Sequence, residues 1–339
     1  MTKLFTSLLV VTLLYCNLTN AQSPSDYLPE KPGKWSYSNN ITSTEAEYVA
    51  FSKVIASLAE WFHLNITMLK SPKGFDLSAT TYGGWDKYYR MNDCNYGLRT
   101  ELDFGFQLFF SAGGKRTIEP PHYSFDINNT ETGHGTNPNY DCFNELKDDP
   151  GQEKAINDAA IKMNGLFMVY PFVKILAPGV NLYDCDLGGC GTVVVFNPDR
   201  PDFWLPVTVR EMADIHLQYY KAQTKMEMNL LLLEQLQKEI SELTEEEMNA
   251  PAFSGHDEHF VLKVNGKKEG LQFMRFNPAY WDRSLPNTAI QFMTFYYPQM
   301  DEVALNEHYK NNGHPFYSQM LVNQIDWGKL AEEMIVRKH

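Results

Sequence analysis

Beyond its first 21 residues the chain has no apolar run approaching the roughly 18 to 20 residues that a membrane helix requires. A soluble mature protein is the expectation. The chain also lacks a GxSxG elbow, a GxxxxGK[ST] phosphate loop and a dinucleotide glycine fingerprint. Nothing in it therefore supports a serine nucleophile, nucleotide use or hydride transfer. Basic charge is scarce: 29 Lys and Arg stand against 42 Asp and Glu, a net −13. This balance repels phosphate backbones and argues against nucleic acid as a partner.

What is there begins with Met1 to Ala21, where Lys3 precedes an apolar run from Leu8 to Tyr15 and small residues end at Ala21. This pattern reads as a signal peptide cleaved before Gln22. Its ending resembles those of exported bacterial proteins, which points to the periplasm or outer cell surface, with eukaryotic secretion as the alternative. Cys16 does not make a lipoprotein site, because the bulky Tyr15 stands where a small residue is wanted. Processing removes one positive charge and no acid, leaving −14, one below the −13 of the full chain.

Of the five cysteines, Cys94, Cys142, Cys185 and Cys190 survive processing. An even count in an exported chain suggests disulfides. The glycines between Cys185 and Cys190 let a short loop close, so Cys185–Cys190 with Cys94–Cys142 is the favoured pairing. Zinc is disfavoured, since no paired CxxC is present.

The chain divides into a lead-in at 22–40, an N-terminal α+β region at 41–180 and a C-terminal α+β region at 181–339, and the two regions could form one continuous domain. Thr44 and Glu47 suggest a capping box ahead of a helix with Tyr48, Phe51, Ile55, Leu58 and Phe62 on one stripe. Phe104, Phe106 and Leu108 alternate with Asp103, Gly105 and Gln107, as a half-buried strand requires. Pro171 interrupts an apolar run and pushes that strand towards an edge or a bulge. The unbroken apolar stretch Thr192–Phe196 predicts a strand covered on both faces. From Thr208, capped through Glu211, one apolar stripe runs to Ile240, which predicts a single helix of about 50 Å at 1.5 Å per residue. Its apolar Met226–Leu233 section suggests a homodimer seam as an alternative to cover by a sheet. Asn265-Gly266 predicts a tight hairpin, and a strand at Ile290–Tyr297 precedes terminal helices.

One pattern recurs. Phe196-Asn197-Pro198, six residues, Leu205-Pro206, one residue and Thr208 reappear 80 positions later as Phe276-Asn277-Pro278, Leu285-Pro286 and Thr288. Proline removes a ladder donor and asparagine can bond the backbone two residues on, so each copy should end a strand in a turn. A structural role is complete without a ligand. A functional one would gather Asn197, Arg200, Trp204, Asn277, Tyr280, Trp281 and Arg283 at a binding rim, arginines for carboxylates and aromatics for a flat ligand or sugar.

The best catalytic cluster is His256, Glu258 and His259, and Glu307, His308 and His314 are further ligands if the fold brings them close. The spacing is HxxH in a loop rather than the HExxH of zinc hydrolases. Asp184–Gly189 lacks the third acid and terminal glutamate of a calcium loop.

The expected fold is thus α+β, an antiparallel-rich sheet packed on one long helix and terminal helices, with a duplicated strand–loop element. The expected role is a non-enzymatic envelope protein that binds a partner protein or a glycan without a cofactor. The alternative is a zinc-assisted hydrolase using His256, Glu258 and His259. Mass spectrometry of the exported protein should find Gln22 at the N-terminus, and unreduced digests should contain linked Cys94–Cys142 and Cys185–Cys190 peptides. A Cys94–Cys190 peptide would refute the pairing.

Overall fold

A computed structural model describes residues 26–41, 43–83, 96–111, 115–117, 123–128, 166–184, 190–223, 227–254, 260–261 and 271–335. The chain opens with β1 (Trp35–Asn39), α1 (Ala46–Asn65) and the single turn α2 (Thr67–Lys70). Next come β2 (Phe75–Tyr82), β3 (Thr100–Phe109), β4 (Lys115–Thr117), β5 (Tyr123–Ile127) and β6 (Leu166–Val169). They are followed by β7 (Phe172–Ala177), β8 (Val180–Tyr183), β9 (Cys190–Phe196) and β10 (Trp204–Pro206). Helices α3 (Val209–Ala222), α4 (Glu227–Ser241) and α5 (Glu245–Asn249) lead to β11 (Phe253–Ser254), β12 (Phe260–Val261) and β13 (Gln272–Phe276). A 3₁₀ turn at Pro278–Tyr280, β14 (Phe292–Pro298), α6 (Glu302–Asn312), α7 (Tyr317–Gln324) and α8 (Trp327–Met334) follow.

Two sheets form. The larger runs β1-β2-β3-β5-β14-β9-β8-β7, with β4 beside β3, and only its β1–β2 pair is parallel. The smaller runs β10-β13-β11-β12, with β6 also on β13. Their faces define the layers, because strand side chains alternate. Val193, Val195, Met293 and Phe295 share a core with Phe51, Phe62, Leu321 and Leu330 of the helices α1, α7 and α8. The alternate residues Val194 and Phe292 share another with Phe203, Trp204, Phe276 and Trp281 of the smaller sheet and its loops. That sheet carries α3, α4 and α5 on its far side, through Met212, Leu236, Met248 and Phe273. Helix, sheet, sheet, helix is the order at the β9–β14 end. Towards β1 the outward face is polar, with Asp76, Ser78 and Thr80 on β2 only half-buried.

The mixed α and β content agrees with the sequence reading, and β9 is buried along all but its last residue, as expected of a strand covered twice. The single long helix does not form. Helix α3 ends near Gln223 and α4 returns antiparallel, since Arg210 at the start of α3 pairs with Glu245, beyond the end of α4, at 2.6 Å. Asn229 Nδ2 donates to Gln223 Oε1 at 3.1 Å and ties the bend. An apolar stripe running straight would leave the small sheet after a few turns; folded back, both halves stay near one sheet face. The spacing of three and four persists through the bend, so periodicity alone did not reveal it.

Other local readings shift in the same way. Helix α1 starts at Ala46 after an extended Glu45, so Thr44 and Glu47 form no capping box, and Glu47 accepts instead from Asn287 Nδ2 at 2.6 Å. Thr208 does cap α3, accepting from the Glu211 N–H at 3.1 Å. Thr244 and Glu247 make the full box at α5. The Asn265-Gly266 hairpin lies outside the described residues, and β12 and β13 stand on opposite sides of β11 rather than beside each other. Pro171 does more than mark an edge. It parts β6, in the small sheet, from β7, the last strand of the large one, where two register shifts break the pairing with β8.

One side chain pins three segments of the central region. Asn128 is fully buried at φ 52°, a left-handed conformation that asparagine tolerates. Its Nδ2 donates to the carbonyls of Leu98 and Ala289 at 3.0 and 2.8 Å, and its Oδ1 accepts from the Gln291 N–H at 2.9 Å. Asn128→Ala strands these groups in a dry interior and should cost about 2–4 kcal/mol. Urea denaturation measures this; a loss below about 0.5 kcal/mol would show that the pin is dispensable.

Candidate binding cleft

The two sheets part at one end to leave a cleft of about 510 Å³. Pro171 places it there, because the chain crosses between the sheets at that point and leaves Tyr170 and Phe172 at the mouth. Strand β8 contributes Asn181 and Tyr183, the segment before β10 contributes Asp202 and Phe203, and β10 contributes Trp204. Gln272 and Met274 on β13 and Phe253 on β11 line the small-sheet side.

The aromatic groups meet edge to face or tilted rather than stacked flat. Tyr183 lies 4.8 Å from Trp204 and 5.9 Å from Phe172, and Trp204 lies 4.8 Å from Phe203, between ring centroids. Trp204 is buried, Tyr183 is half-buried and Phe172 is 53% exposed, so the ring series runs from the core to solvent. Burial raises the Tyr183 phenol above its ordinary range, the nearby Asp202 carboxylate adds to this, and a hydrogen bond with Asn181 offsets part of it. The phenol is thus a neutral hydroxyl at physiological pH. Asp202 is the one charged side chain among the described residues of the lining.

The rim residues anticipated from the repeat are brought together, but mostly as a clasp. Arg200 Nε donates to the Tyr280 carbonyl at 2.7 Å, and its Nη2 donates to those of Ala279 and Trp281 at 2.8 and 2.9 Å. Asn277 Nδ2 donates to the Asp202 carbonyl at 2.7 Å. The Asn197 N–H donates to the Tyr280 hydroxyl, which itself donates to the Gln291 carbonyl. Both asparagines make the expected turn, Asn197 Oδ1 accepting from Asp199 and Asn277 Oδ1 from Ala279. The copies then diverge: Trp204–Pro206 forms β10, whereas Leu285-Pro286 lies in a turn. Thr208 caps a helix and Thr288 does not, and the duplicated sequence pattern does not amount to a duplicated structural unit.

Of the seven rim residues, Trp204 lines the cleft. Tyr280 and Trp281 are buried against Phe276 and Phe292, and Arg283 is exposed and reaches over the Tyr96 ring at 5.6 Å. The sequence reading missed Phe172, Asn181 and Tyr183; the available hint was Pro171 inside an apolar run. His256, Glu258 and His259 lie outside the described residues, as do Cys94, Cys142 and Cys185. Cys190 is buried at the start of β9. His308 and His314 do meet, with ring centroids 5.2 Å apart, and burial followed by the charge of His314 lowers the His308 pKa. No group of three or more His, Cys, Asp or Glu that could hold a metal occurs among the described residues. No described helix is long and apolar enough to cross a membrane.

Comparison with protein-family models, curated proteins and solved structures finds no match. What the chain's geometry offers is a ring-walled cleft bearing amides, a phenol and one carboxylate, locked behind by the Arg200 clasp.

A lysine cannot reproduce the three-carbonyl grip of the planar guanidinium. Arg200→Lys should therefore lower stability by about 1–3 kcal/mol in thermal or urea denaturation. An unchanged midpoint would show that the clasp carries no stability.

Proposed function

We propose that this protein is an exported binding protein whose cleft between the sheets takes a carbohydrate. The observation that carries this reading is the cleft's lining. Phe172, Tyr183 and Trp204 offer apolar ring surface at graded depth, while Asn181, Gln272, Asp202 and the Tyr183 hydroxyl offer donors and acceptors close beside it. A sugar ring needs that combination, because it presents C–H faces and a rim of hydroxyls. A purely lipidic ligand would leave the amides and the carboxylate desolvated without partners, at a cost of about 1–3 kcal/mol each.

The same residues favour binding over hydrolysis in this reading. Glycoside hydrolysis by the usual route uses two carboxyl groups flanking the bond. The described lining supplies Asp202 and no second acid. The signal peptide and disulfides expected from the sequence would fit an exported role, and a carbohydrate of the cell envelope is the proposed ligand.

A glycan array followed by calorimetry on the best ligand tests the reading. Phe172→Ala and Asn181→Ala remove groups at the mouth, and each should weaken binding about tenfold, or ~1.4 kcal/mol. The folded state should change little with Phe172→Ala, since that ring is 53% exposed. Absence of any glycan ligand, or turnover of the bound glycan by the wild-type protein, would overturn it.

A further inference from the structure

A second hollow, of about 600 Å³, lies on the helical side of the large sheet, where the segment leading into β1 meets the end of α2. We propose that it binds a small oxyanion carrying two or three negative charges.

Three lysines, Lys34, Lys70 and Lys73, line this hollow together with His63, and the residues lining it include no carboxylate. That is an unusual concentration in a chain of net charge −13. The lysines sit on separate segments whose backbones are locked together. The Gly33 N–H donates to the Pro72 carbonyl at 2.9 Å, Gly74 to Lys31 at 2.8 Å and Leu77 to Lys34 at 2.9 Å. Trp35 stacks flat on His63, with centroids 4.9 Å apart and planes 1° from parallel, and fixes the imidazole as a wall. The segments that carry the lysines are therefore held in place before any ligand arrives.

Acidic neighbours stand around the hollow rather than in its lining. Glu30 pairs with Lys73 at 3.0 Å, Glu60 lies 3.5 Å from His63 Nδ1, and Asp76 accepts from the Lys34 backbone N–H at 2.8 Å. Among the described residues no carboxylate forms an ion pair with the ammonium of Lys34 or Lys70. These two lysines are the ones an incoming anion would engage directly.

The size of the ligand follows from the charge of the whole protein. A long polyanion would gain at this hollow and lose to the net −13 of the chain. A compact phosphate ester, diphosphate or polycarboxylate is confined to the favourable field. Phosphoryl and carboxylate ligands share the chemistry that the Lys34 and Lys70 ammonium groups recognise.

Calorimetry at low ionic strength with pyrophosphate and with citrate tests the proposal. Binding of either anion, weakened about tenfold by Lys34→Ala and by Lys70→Ala, relieved by added salt and untouched by Lys53→Ala on α1, is the expected result. The tighter of the two anions identifies the phosphoryl or carboxylate class. No binding of either probe, or equal affinity in all three variants, would overturn the proposal. These lysines are exposed, so the variants should keep the wild-type melting temperature, and the glycan affinity of the cleft should not change in them.

Discussion

Most of this structure depends on one strand pair that must be dry on both sides. Strands β9 and β14 run antiparallel from Phe196 beside Phe292 to Cys190 beside Pro298. Val193, Val195, Met293 and Phe295 face the helices, while Val194 and Phe292 face the smaller sheet. Each such side chain contributes about 1.5–3 kcal/mol when removed from water, and neither face can contribute without its cover. The requirement for two covers explains why a second sheet exists, and why it needs helices of its own on the outside.

The second cover has to be held in place, and the clasp does this. Strand β10 pairs with β13, Trp204 opposite Phe276, so the segment after the first Asn-Pro turn lies against the strand that enters the second. Arg200, Asn277 and the Tyr280 hydroxyl then bond across the junction. Polar groups buried with matched partners specify one arrangement of the sheets, since any slip would leave carbonyls and amides bare. The cleft opens where this packing stops, at the crossing beside Pro171, and its walls inherit the rigidity of the clasp behind them.

The two hollows are electrostatic opposites. The cleft between the sheets carries a carboxylate, amides and rings; the hollow beside α2 carries lysines around a Trp35–His63 stack. In each hollow the local lining outweighs the distant net charge of this acidic chain within about a Debye length of 8–10 Å.

Much of the local structure was legible in the residues. The alternation of Phe104 to Leu108 in β3, the doubly covered β9, the cap at Thr208 and the two Asx turns were readable, since each depends on neighbours a few positions away. Trp204 and the importance of the Asn-Pro motifs were visible too, although most of the motif residues hold the sheets together instead of lining the cleft. The bend between α3 and α4, the placing of β11 between β12 and β13, and the partnership of Glu47 with Asn287 were not legible. They are settled by which surfaces compete for cover across long stretches of chain. The composition determined by itself a folded acidic protein with short-range turns, caps and strands; only tertiary packing decided which faces meet, and therefore where a cleft opens and which side chains line it.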